Sequence, residues 1–174
     1  MSKEQIISDW FYQYSDDIYH FLLYRIGSPD VEDVVQEVFI RAMKGLDSFE
    51  GNAQPKTWLF TIARNTAIDE IRKKSRNKWK DYLTFESKHE PADNETPADL
   101  IQLNEDNQEL YRAIQTLKSN YRDVVILRGI KDLSVKETSE VLNWSESKVR
   151  STYHRAKNML HKKLKDELGG VYSD

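Results

Sequence analysis

The sequence predicts an all-α protein: two small helical domains joined by a flexible acidic linker, the second carrying a helix-turn-helix. Three observations lead there. Apolar residues recur at threes and fours along most of the 174-residue chain, without strand-like alternation or internal repeat. Charge is segregated: the net charge is −3, yet Glu86 to Glu109 holds eight acidic residues against Lys88, while two other stretches are strongly basic. Ser134 to Leu164 reads as two capped helices with a sharp turn between them.

Composition narrows the possibilities further. A hydrophobic content of 39% suffices for packed cores, although a charged fraction of 32% leaves little surplus. The absence of cysteine excludes disulfides and thiolate metal sites and fits a reducing compartment. No signal peptide is evident, and no apolar run approaches the roughly 20 residues of a membrane span. A soluble, cytoplasmic protein without membrane insertion and without a cofactor is expected.

The first helix is expected from Ile6 to Ile26, ended by Gly27, with Trp10, Phe11, Tyr14, Ile18, Phe21, Leu22 and Arg25 or Ile26 on one face. A shared face favours core packing over an aromatic stacking platform. Ser28-Pro29-Asp30 should open the second helix, Ser28 as cap, Pro29 in the first turn, and Asp30, Glu32 and Asp33 at the positive helix end. Val31, Val34, Val35, Val38, Phe39 and Ala42 form its apolar stripe, closed by Gly45. The opposite face combines Asp33, Gln36, Glu37, Ile40, Arg41 and Lys44. Taken by themselves, Asp33 and Glu37 suit a solvated face, a divalent-metal or acid–base pair, or a partner-docking surface. Ile40 among charges leans toward the last.

Phe49 to Thr57 has the Gly, Asn and Pro content of a loop. A long helix should follow from Pro55 to about Lys78, burying Trp58, Leu59, Ile62, Ala63, Ile68 and Ile71. Lys56 to Lys80 contains eight basic residues and two acidic ones, with Arg64, Asn65 and Arg72 as candidate nucleic-acid ligands. Residues 81–108, holding two of the four prolines, read as the acidic linker, with at most a short helical piece near Leu100. Leu110 to Leu117 and Tyr121 to Ile130 then resume helical periodicity and should cover the apolar sides of the helix-turn-helix.

In that last motif Ser134 and Glu137 have capping-box spacing, Val135, Thr138, Val141 and Leu142 form an apolar stripe, and Asn143 suits a left-handed stop. Ser145 can cap the second helix, whose apolar side is Val149, Tyr153, Ala156, Leu160 and Leu164. Its other sides carry Lys148, Arg150, Ser151, His154, Arg155 and Asn158. Between Ser145 and Lys165 seven Lys or Arg stand against Glu146 alone. A capped helix with one apolar stripe and a basic face suits the DNA major groove.

Three segments, Asp33 to Phe49 (DVVQEVFIRAMKGLDSF), Lys56 to Lys74 (KTWLFTIARNTAIDEIRKK) and Leu133 to Leu160 (LSVKETSEVLNWSESKVRSTYHRAKNML), resemble the signature segments of extracytoplasmic-function sigma factors of the sigma-70 family. Their order and spacing carry the resemblance over nearly the whole chain outside the linker. It implies a protein that directs core RNA polymerase to promoters and performs no covalent chemistry. Under it, residues 1–80 form the polymerase-docking and minus-ten domain and residues 109–174 the minus-thirty-five domain. Asp33, Gln36, Glu37, Ile40 and Arg41 resemble the surface that docks on the β′ clamp helices, the β flap being the second contact expected on the enzyme. Asn52 of the loop, with Lys56, Arg64, Asn65 and Arg72, resembles the part that reads the melted non-template strand of the minus-ten element. Trp58 matches an aromatic position of the family, although its helical phase also suits the core. Lys148, Arg150, Ser151, His154 and Arg155 fall at or beside the groove-facing positions that read the minus-thirty-five element. Thr152 and Tyr153 depart from the family, which often carries a basic residue and an aliphatic there; Lys148 is then the candidate for the missing phosphate contact. An anti-sigma protein is the further partner implied. Two other readings follow from the residues: a dimeric helix-turn-helix regulator that binds duplex operators without polymerase, and a metal-dependent hydrolase using Asp33 and Glu37.

Overall fold

The computed structural model describes residues 1–27, 30–84 and 104–172, and every regular element among them is helical. The chain divides into two compact units, Met1–Pro97 and Ala98–Asp174.

The first unit packs three helices: α1 (Lys3–Ile26), α2 (Val31–Gly45) and α3 (Pro55–Thr84). Ser2 starts α1 with a capping box, accepting from the Gln5 amide, and Gly27 ends it at φ 64, where a residue without Cβ is unstrained. The α2 stripe is buried as expected, from Val31 to Ala42. Ser28 and Pro29 lie outside the described residues; Asp30 occupies the cap position of α2, without a side-chain cap hydrogen bond.

Two core expectations are corrected. Phe11 keeps the phase of the buried α1 stripe but is 43% exposed, packed edge-on against Phe39 at 5.0 Å. Periodicity selects a face, whereas tertiary packing decides how far neighbours extend over it. In α3 the buried set is Thr57, Leu59, Phe60, Ala63, Thr66 and Ala67, while Trp58, Ile62, Ile68 and Ile71 are half-buried. This helix meets both α1 and α2, and small residues and threonines let the backbones approach. Thr66 remains satisfied by donating Oγ1–H to the Ile62 carbonyl at 2.7 Å. Phe60 and Phe21, both fully buried, meet edge to face at 5.7 Å.

The second unit comprises α4 (Glu105–Gln115), α5 (Ser119–Val125), a π-helical turn (Ile126–Ile130), α6 (Val135–Leu142) and α7 (Glu146–Tyr172). Residues 81–84 and 105–108, expected in the linker, are helical, continuing α3 and opening α4; residues 85–103, including the piece near Leu100, lie outside the described residues. Arg122 closes the C-terminal end of α4, donating to the Gln115 and Leu117 carbonyls at 2.8 and 3.1 Å.

Tyr24 in the first unit and Tyr111 in the second are both 6% exposed, and burial pushes both phenols above their ordinary value of 10.0. With the folded pKa raised, the unfolded chain ionises first, so this contribution to stability is complete below the unfolded pKa and is lost as pH rises through the folded one. Thermal melts through the alkaline range should fall accordingly, and Tyr24→Phe should flatten the fall in the first unit.

Candidate nucleic-acid interface

The helix-turn-helix is assembled by local chemistry. The Ser134 hydroxyl accepts from the Glu137 amide at 3.0 Å while the Glu137 carboxylate accepts from the Ser134 amide at 2.9 Å. Asn143 stops α6 in the left-handed region at φ 57 and ψ 46. Ser145 then accepts from the Lys148 amide at 3.1 Å and starts α7. Ser134→Ala should cost about 1 kcal/mol, read as a roughly fivefold loss of amide-exchange protection in α6.

α7 buries Val149, Thr152 and Ala156, leaving Tyr153 and Leu160 half-buried beside them. Lys148, Arg150, Ser151, His154, Arg155 and Asn158 are exposed, so all five candidate minus-thirty-five residues lie outside the packed stripe. None of the five forms an ion pair among the described residues. His154 and Asn158, one turn apart, approach to 3.4 Å. The Lys148 ammonium stands 4.3 Å from the Trp144 ring centroid, a cation–π contact that orients it and that the i, i+4 spacing could have signalled. Thr152, at 9% exposure, faces the core, so its departure from the family pattern leaves the exposed side of α7 unchanged.

In the first unit the five minus-ten candidates do not converge on one pocket. Asn52 is exposed on the loop, within 3.3 Å of Glu50. Lys56 is half-buried, in the phase of the packed side of α3. Asn65 and Arg72 are exposed seven residues apart on the side opposite the core, and half-buried Arg64 lies beside that stripe. From Lys56 to Arg72 the helix spans about 24 Å at about 1.5 Å per residue, a track rather than a point site. Trp58 belongs to an aromatic cluster with Trp10 at 5.9 Å and Phe49 at 5.1 Å, which pins the start of the loop to α1 and α3.

The charged face of α2 is real surface. Asp33, Gln36 and Glu37 are exposed, and Ile40 is 48% exposed. Arg41 donates from Nε to Glu37 at 3.1 Å and from Nη1 to Asp69 of α3 at 2.8 Å. The Asp69 hydrogen bond is the largest influence raising the Arg41 pKa; burial opposes it and Glu37 adds to it. Asp69 is thus a member of this face that sequence reasoning missed, because nothing local links positions 28 residues apart. A polar groove of about 640 Å³, lined by Asp33, Glu37, Arg41 and Asp69 among others, runs between α2 and α3. Among the described residues no group of three or more His, Asp or Glu is arranged to hold a metal ion, and no helix is long and apolar enough to cross a membrane.

Residues 10–77 match the sigma-70 region 2 family and residues 107–160 match sigma-70 region 4. Relatives of known function agree: the chain is 36% identical over 170 residues to the ECF RNA polymerase sigma factor SigX of Bacillus subtilis, covering 94% of this chain and 86% of SigX. This chain belongs to the extracytoplasmic-function sigma factors of the sigma-70 family. The same organism's SigW is also 36% identical, over 88% of this chain and 86% of its own length. Among solved structures, the sigma factor RpoE in complex with the anti-sigma factor NepR from Bartonella quintana superposes with a TM-score of 0.73 at 25% identity, covering 91% of this chain and 96% of RpoE. This sigma factor therefore shares the all-helical fold as well as the sequence signatures of its family.

Proposed function

We propose that this sigma factor docks on the β′ clamp helices of core RNA polymerase through Asp33, Gln36, Glu37, Ile40 and Arg41, with a second contact at the β flap. Residues 1–80 and 109–174 act as the two functional domains. Asn52, Lys56, Arg64, Asn65 and Arg72 take the melted non-template strand of the minus-ten element. Lys148, Arg150, Ser151, His154 and Arg155 read the minus-thirty-five element as duplex. The observation that carries this reading is the capped helix-turn-helix whose α7 keeps its basic side exposed, with no ion pair to neutralise it among the described residues.

No covalent step is required of the protein. Melting draws on binding energy: contacts to unstacked bases along the α3 track offset the few kcal/mol of unpairing. Docking both DNA-reading units on one large enzyme raises the effective concentration of the second contact once the first is made. The RpoE complex supports an anti-sigma protein as the regulating partner, and the whole cycle belongs in the cytoplasm with the polymerase.

Purified core polymerase plus this protein should initiate transcription from a cognate promoter in a genome-wide run-off library. Failure at every promoter, or tight binding of duplex operators by the protein as a dimer without core, would overturn the reading.

A further inference from the structure

Beside the groove-facing side of α7 lies a small cavity of about 250 Å³, lined by Arg128, Val135, Arg150, Tyr153, His154 and Lys157. Arg150, Tyr153 and Lys157 follow at i, i+3 and i+7 along one edge of α7, and Arg128 reaches the same place from the π-helical turn. The Arg128 guanidinium carbon stands 5.3 Å from the Tyr153 ring centroid and the Lys157 ammonium 4.7 Å from it, so one ring orients two cations. Arg128 also donates from Nη1 to the Leu133 carbonyl, which ties it to the start of the helix-turn-helix. Its Nε is buried without a hydrogen-bond partner. Gly129 leaves room for the phenol: a Cβ there would stand 3.3 Å from the Tyr153 hydroxyl.

Two guanidinium groups, an ammonium and an imidazole therefore line one concavity, and none of them pairs with a carboxylate among the described residues. Like charges gathered without a counter-charge are unfavourable unless an anion joins them. A solvated rim would need neither the ring that holds two of them nor a glycine that makes room for that ring.

We propose that this cavity is a phosphate-binding notch, in which Arg128 and Lys157, positioned by Tyr153, grip one backbone phosphate flanking the bases that α7 reads. The inference rests on the reading of α7 as a groove-binding helix. It gives Tyr153, the departure from the family's usual aliphatic, a positioning role: the ring converts two long, mobile side chains into a fixed pair. A phosphate contact carries no base information, so the notch contributes affinity and register rather than sequence preference.

The test is the salt dependence of promoter binding by the full-length protein on core polymerase, with a cognate duplex and with the same duplex scrambled at its minus-thirty-five element. Lys157→Gln, on an exposed position, should reduce the slope of log K against log salt by about 0.9 and weaken both duplexes by a similar factor. Tyr153→Leu should move the slope in the same direction, while Tyr153→Phe, which keeps the ring, should retain the wild-type slope. An unchanged slope in Lys157→Gln, with wild-type preference for the cognate duplex intact, overturns the notch alone and leaves the cavity to an acidic protein segment. Affinity loss confined to the cognate duplex overturns it too, assigning Lys157 to bases. A reduced slope in a protein that shows no polymerase-dependent preference would retain the notch and overturn the promoter reading.

Discussion

Ile40→Asp is expected to weaken binding to core polymerase by about 2–4 kcal/mol, or about 30- to 1000-fold, while leaving the fold intact. Ile40 is the large apolar residue at 48% exposure amid Asp33, Gln36, Glu37 and Arg41, so it has the character of an interface anchor ringed by polar groups. Its exposure means that a carboxylate there meets water in the free protein and becomes costly only when a partner desolvates it. The Arg41 contacts to Glu37 and Asp69 hold the neighbouring guanidinium in one geometry before docking. Titration of labelled protein with purified core, beside thermal melts of the same samples, checks the claim. Unchanged affinity would remove α2 from the polymerase interface, and a lowered melting temperature would assign Ile40 to the core instead.

The second large effect is expected at the other end of the chain. Arg155→Ala should cost about 1–3 kcal/mol at a cognate promoter and relax the preference at one position of the minus-thirty-five element. Arg155 is exposed, one residue before fully buried Ala156, so its Cβ direction is set by a helix whose packing cannot slip without exposing Val149 and Ala156. Competition binding with a library randomised across the minus-thirty-five element reads both consequences at once. A uniform loss across all sequences would make Arg155 a phosphate contact. That result would contrast with Lys157, for which a uniform loss is the expected outcome.

How far the sequence could be read differs between the two halves of the site. The helix-turn-helix was legible because its determinants are local: Ser134 with Glu137, Asn143 at φ 57 and Ser145 with Lys148 act within one helical turn of themselves. The surface of α2 was legible for a similar reason, since a stripe from Val31 to Ala42 leaves only one side free. The cores were less so. The burial of Phe60 and Ala67 depends on two helices meeting α3 at once, and the exposure of Phe11 is set by how much neighbouring structure reaches it, which no periodicity reports. The contacts of Arg128 and Asp69 were invisible for the same cause: each is made to a residue on another element, whereas Lys157 meets Tyr153 at i, i+4 within α7.

By itself the sequence determined the helices, their caps, the segregation of charge and the motifs of a sigma factor, because 3.6-residue periodicity and capping act over a few residues. Only the tertiary structure decided which cations share a cavity, that Asp69 joins Glu37 in holding Arg41, and which minus-ten candidates lie on one side of α3. Those outcomes depend on distances between elements, which are set by how side chains fill the space where helices cross.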